Sequence, residues 1–217
     1  MNRARSVHAA GFLGVSVLGL ALLFWVDASA QAEVDVGATA TYRWTSARMQ
    51  PVPVLIRDTV SGGEAKWSVA DQAMPPPPLF VTYGIVRGDR TTYTLQIVTR
   101  ERLDGQPLSV TQVTVNRRSG HAVRSVIQSP KGFVATPESG LRPLRESEVE
   151  GALREEVVVP AGRFSTARGS VWDAQVWVSD QVPPLGLVRA VWPSSGTLDL
   201  VQSATTGAQD LMGPRRQ

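Results

Sequence analysis

The chain has 217 residues, a formal net charge of +3 and no cysteine. Without cysteine it cannot form a disulfide, use a thiolate nucleophile or bind a metal through sulfur. Its arginines are scattered singly or in pairs, so the clustered basic face that nucleic acid binding requires is missing, and we expect no nucleic acid partner.

The first 32 residues have the features of a secretory signal peptide. Two arginines precede an apolar run at residues 11–26, and small residues at 28–32 offer two Ala-x-Ala cleavage frames. We predict cleavage after Ala30 or Ala32, which makes the protein periplasmic or secreted. The alternative is an uncleaved anchor, because the apolar run approaches the length that spans a bilayer. Membrane contact would then go through this segment only.

Residues 33–210 are predicted to form a single β-rich domain, followed by a disordered tail at 211–217. Apolar and polar residues alternate at 34–45 and again at 91–101, which is typical of strands with one buried face. At 108–117 the apolar positions change parity midway, which suggests a β-bulge or a strand that changes faces. Turn residues recur about every 10–15 positions, too close for crossover helices. The sheet should therefore be antiparallel.

Three stretches depart from this pattern. The MPPPP segment at 74–78 is a stiff extended stretch, interpreted as a connector or edge blocker, with a recognition motif for an aromatic groove as the alternative. Residues 129–143 are the best candidate for a mobile loop. The glutamate-rich stretch 143–156 could hold a turn or two of helix, and helix is otherwise scarce.

The C-terminal part returns to strand patterns at 155–159, 171–179 and 187–192. Residues 182–186, between the last two strands, read VPPLG. Proline has no amide hydrogen to donate to a strand ladder, so this segment is interpreted as a proline-stiffened corner between two strands.

Residues 159–164 (VPAGRF), 177–179 (WVS) and 182–188 (VPPLGLV) resemble the C-terminal half of a family of exported bacterial proteins whose fold is similar to that of the LolA/LolB lipoprotein carriers. The resemblance covers about residues 155–210. It implies a mainly β fold, a single curled antiparallel sheet or LolA-like half-barrel with an apolar concave face and little helix. It also implies a function, the transfer of acyl chains across the periplasm. Since no lipoprotein cysteine is present, the chain would correspond to a soluble member, more like LolA than LolB.

The sequence offers little for catalysis. His121 is the only histidine after the signal segment, so a Ser-His-Asp triad would have to use it, and a zinc site lacks the usual ligands. No glycine-rich phosphate loop is present, and no spacing argues for a glycosidase pair of acids. We predict no enzymatic activity, no cofactor and no metal. A hydrolase that uses His121 at an unrecognised site is the alternative.

The aromatic residues are the candidates for a ligand-binding site. An apolar ligand-binding face is predicted from Trp44, Trp67, Tyr83, Tyr93, Trp172 and Trp177. Packing of the same side chains as an ordinary core is the alternative. A curled sheet with little helix must cover its concave face with a ligand, a loop or a partner. We therefore predict a non-enzymatic periplasmic protein that binds or carries a lipid or a lipoprotein. The alternative is a structural or interaction module of the cell envelope, which contacts another envelope protein and has no small-molecule ligand.

Overall fold

The computed structural model describes residues 35–59, 65–129, 132–135, 144–149, 152–171 and 173–213. The predicted signal segment lies outside the described residues, as does most of the predicted loop at 129–143. The described chain consists almost entirely of strands, with one 3-10 helix at Glu146–Glu148 in the stretch where a turn or two of helix is expected. None of the described helical structure is long and apolar enough to cross a membrane.

Eleven strands form one antiparallel sheet in the order β8-β7-β6-β5-β4-β1-β13-β12-β11-β10-β9, and β2 and β3 form a separate two-stranded ladder. The strands are β1 Thr39–Ser46, β2 Gln50–Thr59, β3 Ala65–Met74, β4 Leu79–Gly88, β5 Thr92–Arg100, β6 Ser109–Asn116, β7 Ala122–Ser129, β8 Gly132–Ala135, β9 Leu153–Val159, β10 Gly162–Val171, β11 Ala174–Val178, β12 Leu187–Trp192 and β13 Gly196–Ala204.

Strands β1 and β13 join the two halves of the main sheet. Strands β4 to β8 follow on one side of β1, and strands β12 to β9 follow on the other side of β13. Among the described strands, the two edges β8 and β9 do not pair with each other, so the sheet is not closed. The predicted antiparallel sheet with little helix is confirmed, and the β2–β3 hairpin is an addition to the predicted single sheet.

Alternation of side chains gives the main sheet two different faces. Tyr42 on β1 pairs with Val81 on β4 and Leu200 on β13, and we call the side that these residues share the tyrosine face. The opposite side carries Arg43 and its partner Asp199, and we call it the arginine face. The tyrosine face holds most of the largest fully buried side chains: Tyr42, Tyr83, Ile85, Leu95, Val113, Val115, Val176, Val178, Leu198 and Leu200.

The middle of the sheet is buried on both faces. Val98 and Val110 lie opposite each other on the arginine face, whereas Val113 and Val115 lie on the tyrosine face, and all four are buried. Strand β6 keeps an unbroken register with β5 and shifts register against β7, between Thr114 and Val115. The change of parity in β6 therefore reflects burial on both faces, with a bulge only toward β7.

The VPPLG segment forms the expected corner between β11 and β12. The Ser179 amide donates to the Gly186 carbonyl oxygen at 2.7 Å, and the Gly186 amide donates to the Val182 carbonyl oxygen at 2.7 Å. Val182 and Leu185 are buried. The corner is thus a closed turn whose apolar side chains join the core.

The sheet curls at its β9 end. The Ala161 amide, in the turn between β9 and β10, donates to the carbonyl oxygen of Leu200 on β13 at 3.1 Å. Arg189 on β12 donates to the carbonyl oxygen of Val158 at 3.3 Å. Because β13 lies four places from β9 in the sheet, these bonds require the β9–β10 hairpin to bend back over the arginine face. Val157 and Val159 are buried on that side.

Substitution of Gly196 tests the pairing of β13 with β1. Its φ is +147°, and a Cβ atom there would collide with the Thr45 carbonyl oxygen. We expect Gly196→Ala to lower the free energy of unfolding by about 3 kcal/mol or more, because backbone strain and the collision add. Gly162→Ala is the matched control, since Gly162 has φ +134° but open space around a Cβ. It should cost about 1–2 kcal/mol. Urea denaturation measures both, and equal losses would contradict the assigned register.

Candidate functional site

Two tyrosines occupy the centre of the tyrosine face. The Tyr42 hydroxyl donates to the carbonyl oxygen of Leu187 at 2.8 Å. The Tyr83 ring lies edge-on to the Tyr42 ring, with centroids 5.7 Å apart. Both side chains are completely buried, yet the Tyr83 hydroxyl has no hydrogen-bond partner among the described residues. An unpaired buried hydroxyl is costly, and this hydroxyl lies on a face whose buried side chains are mostly apolar.

Burial keeps both tyrosines neutral. It raises the pKa of Tyr42 well above the ordinary value, with a smaller contribution from nearby Tyr83, and it also raises the pKa of Tyr83. Each hydroxyl therefore keeps its proton at physiological pH and can act as a hydrogen-bond donor. The raised values also imply that folding stability falls as the pH increases above about 10, where tyrosines of the unfolded chain ionise.

Two further predicted residues lie on the tyrosine face but far apart. Trp44 packs against Trp192 with ring centroids 5.5 Å apart. Tyr93 is buried, with the Arg117 guanidinium 5.6 Å from its ring centre. Trp44 pairs with the first residue of β4 and Tyr93 with its last, so roughly 30 Å of strand separates them. Tyr83 lies between the two.

The other three predicted residues do not join this group in the described structure. Trp67 lies on β3, in the separate hairpin, opposite Arg57. Trp172 lies outside the described residues. Trp177 is buried on the arginine face, because it pairs with Arg168 and Arg189. The structure thus places Trp44, Tyr83 and Tyr93 on one face and Trp177 on the other.

A short segment of the crossover from β8 to β9 packs against the corner. The Leu144 amide donates to the Leu185 carbonyl oxygen at 2.9 Å. Glu146 and Asp180 exchange hydrogen bonds, each backbone amide donating to the other's carboxylate at 3.1 and 3.3 Å. Leu144 and Val149 belong to the same buried cluster as Tyr42 and Tyr83. We call residues 144–149 the cover segment.

Gly186 permits this packing. Its φ is +71°, and a Cβ there would collide with the Leu144 carbonyl oxygen. The glycine of the VPPLG segment therefore serves the cover segment as well as the turn. The backbone bonds described for the cover segment join Leu144 to Leu185, Glu146 to Asp180 and Val149 to Glu146. The Glu146 carboxylate also pairs with Arg154 at 3.0 Å.

A row of charged residues crosses the arginine face around Trp177. Neighbouring strands place its members side by side in the order Arg168, Trp177, Arg189, Asp199 and Arg43. The guanidinium carbons of Arg168 and Arg189 lie 5.3 and 6.0 Å from the Trp177 ring centre. Stacking of cations on an indole ring is favourable when the ring is partly shielded from water.

Carboxylates neutralise most of this row. Asp199 accepts a hydrogen bond from Arg189 Nε at 2.6 Å and lies 3.9 Å from Arg43. Glu155, from the edge strand β9, accepts the Trp177 indole N–H and lies 3.6 Å from Arg168. Most of these donors and acceptors satisfy one another, but the buried Nε of Arg43 has no hydrogen-bond partner among the described residues. The row links β10, β11, β12, β13 and β1 across the sheet.

Metal-binding side chains do not cluster in the described part of the chain. No group of three or more His, Asp or Glu side chains there could hold a metal ion. His121 is exposed, beside the turn between β6 and β7. Among the described residues, the tyrosine face with its buried, unpaired Tyr83 hydroxyl is the best candidate for a binding site.

Comparison with known proteins gives no relative. The sequence matches no protein-family model, and searches of curated proteins and of solved structures found no match. The function must therefore be argued from the residues of this chain.

The two central tyrosines have opposite expected effects on stability. Tyr83→Phe removes an unpaired hydroxyl, so we expect it to raise the free energy of unfolding by about 1 kcal/mol. Tyr42→Phe leaves the Leu187 carbonyl oxygen without its donor, so it should lower that free energy by about 1–2 kcal/mol. Urea denaturation of both variants at pH 7 provides the comparison. A loss of stability in Tyr83→Phe equal to that in Tyr42→Phe would mean that the Tyr83 hydroxyl has a partner.

Substitution of Asp199 tests whether the charged row on the arginine face stabilises the fold. Asp199→Asn leaves Arg189 and Arg43 without their carboxylate, and we expect a loss of about 1–3 kcal/mol because the side chain of Asp199 is only 12% exposed. Asp104→Asn is the control, since Asp104 pairs with Arg102 at 3.8 Å but both side chains are 81% exposed. It should leave thermal unfolding unchanged. The same melting temperature in both variants would contradict a structural role for the row.

Proposed function

We propose that this chain is a non-enzymatic exported protein that binds an apolar ligand, the acyl chain of a lipid or of a lipidated partner, against the tyrosine face. The proposal includes export by the signal segment at residues 1–32 and a half-barrel like that of the LolA/LolB carriers. An open antiparallel sheet with one apolar face supports it, as does the sequence resemblance at residues 159–188.

The unpaired Tyr83 hydroxyl carries the proposal. It is a buried, unpaired donor among mostly aliphatic and aromatic side chains, with Thr99 and Ser125 as buried polar residues elsewhere on the same face. A single polar group on an apolar lining is a common way of fixing the orientation of a small ligand. An acyl chain whose carbonyl oxygen accepts from Tyr83 would satisfy the hydroxyl and extend along the aliphatic side chains.

Access requires the cover segment to move. The tyrosine face is filled by its own side chains, and Leu144 and Val149 belong to the same buried cluster. The cover segment is attached to the corner by a few backbone and carboxylate hydrogen bonds, and such sparsely bonded segments open at lower free energy than core strands. In this proposal the segment lifts from the corner, and the acyl chain takes the place of Leu144 and Val149.

Lipid binding is tested on protein purified without detergent. We expect native mass spectrometry to detect a copurifying lipid, or an added long-chain fatty acid, on the folded protein. Brominated fatty acid should quench the fluorescence of Trp44 and Trp192, which lie on the tyrosine face. A folded protein that binds neither the copurified nor the added lipid would overturn the proposal.

Tyr83→Phe separates a binding role from a packing role. The variant should bind the fatty acid about tenfold more weakly, because the hydrogen bond to the ligand is lost. Tyr93→Phe, the same change at the far end of the face, should bind with unchanged affinity. Equal affinities of Tyr83→Phe and the unaltered protein would remove Tyr83 from the site.

An interaction module of the cell envelope is the second candidate. Pro75, Pro77 and Pro78 are exposed between β3 and β4. The edge strand β9 exposes two apolar side chains, Leu153 at 68% and Val158 at 61%, and both a polyproline segment and a sheet edge can recruit an extended partner. A pull-down from envelope extract with residues 74–78 replaced by Gly and Ser distinguishes this candidate. An unchanged set of partners would count against the proline segment.

A further inference from the structure

The chain after β13 returns across the arginine face and is held there by side chains of β4, β5 and β6. We call residues 207–213 the C-terminal strap. Its Ala208 amide donates to the Gly37 carbonyl oxygen at 2.8 Å. Ala208 also lies over Gly84, where a Cβ atom would stand only 3.2 Å from the methyl group of Ala208. The absence of a side chain at residue 84 therefore gives the strap room against β4.

Gln96 on β5 binds the backbone of the strap. Its side-chain nitrogen donates to the Gln209 carbonyl oxygen at 2.8 Å, and its side-chain oxygen accepts from the Leu211 amide at 2.9 Å. Both bonds go to backbone groups of the strap, so they do not depend on the side chains of Gln209 and Leu211. Gln96 is itself buried and is held by Gln112 at 3.1 Å.

Asp210 supplies the specific contact. Its carboxylate accepts from Arg87 Nε and from the Gln112 side-chain nitrogen, each at 2.7 Å. The amides of Met212 and Gly213 donate to the same carboxylate at 3.1 and 3.0 Å. Burial by itself raises the pKa of Asp210, but the bonds from Arg87, Gln112 and Met212 and the charge of Arg87 outweigh it, so the pKa is lowered.

The contacts of the strap are more typical of a peptide-binding surface than of a packed core. They are nearly all polar, Arg87 remains 49% exposed and Leu211 of the strap is 42% exposed. Residues 204–207, which lead into the strap, are exposed as well. A segment held by charge-assisted bonds, with little apolar burial, can be exchanged for a competitor of the same chemistry.

We propose that Arg87, Gln96 and Gln112 form a binding site for an acidic peptide of a partner protein, and that the strap occupies this site in cis. The partner presents a carboxylate to Arg87 and Gln112 and the backbone on either side of that carboxylate to Gln96, as the strap does. A residue without a side chain, or with a short one, lies over Gly84. Because the strap is tethered, its effective concentration is in the millimolar range, so a partner segment binds only when it outcompetes the strap. The site is independent of the tyrosine face.

The test uses the full chain with Asp210→Ala, which frees the site, and a capped, fluorescein-labelled peptide with the sequence of residues 205–213. By fluorescence anisotropy, the variant should bind the peptide about tenfold or more tightly than the unaltered protein, whose own strap competes. A peptide with Asn in place of the aspartate should bind about tenfold or more weakly, because the charge-assisted bonds are lost. Asp104→Ala, a distant exposed aspartate, is the control and should behave as the unaltered protein.

A folded Asp210→Ala protein that binds the peptide no better than the unaltered protein would show that the strap is only a structural tie. Equal binding of the Asp and Asn peptides would likewise overturn the proposal. If the variant does not fold, hydrogen–deuterium exchange of the unaltered protein decides the matter. Millimolar peptide should accelerate exchange of the Leu211 and Gly213 amides while β5 and β6 stay protected, and unchanged exchange would contradict the site.

Discussion

The pairing of β1 with β13 is the constraint on which the rest of the structure depends. It brings residues 39–46 beside residues 196–204 and so joins two runs of hairpins that would otherwise be separate ribbons. The chain must close a loop of about 150 residues to make it, and loop closure of that size costs conformational entropy that local hairpins avoid. Both faces contribute to the same junction: Tyr42 meets Leu200 on one side, and Arg43 meets Asp199 on the other.

The two faces that this pairing creates have different chemistry and, in our account, different roles. The tyrosine face is apolar and buried, with one unpaired hydroxyl at its centre. On the arginine face, the row around Trp177 links the strands of the curled half, while the strap covers part of the other half through Asp210. Carboxylates neutralise most of the row, which fits a structural role. The Tyr83 hydroxyl and the tethered strap, in contrast, each suggest a place for another molecule.

Local features of this fold follow from sequence, and long-range ones do not. The alternation around Tyr42, the turn at Pro160 and Ala161 and the corner at 182–186 are all predictable, because they depend on neighbours within a few positions. The face on which Trp177 lies cannot be predicted from sequence, because apolar residues occur at both odd and even positions of its strand. Only the pairing of Trp177 with Arg168 and Arg189 shows which face it occupies. The role of Asp210 is equally hidden: its partners Arg87 and Gln112 are about 100 positions away in sequence. A single glycine within a strand pattern is too common to reveal that Gly84 makes room for Ala208.

The central claim is that the tyrosine face accepts an acyl chain whose polar end meets the Tyr83 hydroxyl. The most direct measurement is nuclear magnetic resonance of protein labelled with ¹³C at the tyrosine Cζ atoms, titrated with a long-chain fatty acid. Our account predicts a saturable shift of the Tyr83 resonance, assigned with Tyr83→Phe, that is larger than the shift of the Tyr42 resonance. Resonances of Tyr42, Tyr83 and Tyr93 that stay in place throughout the titration would contradict it.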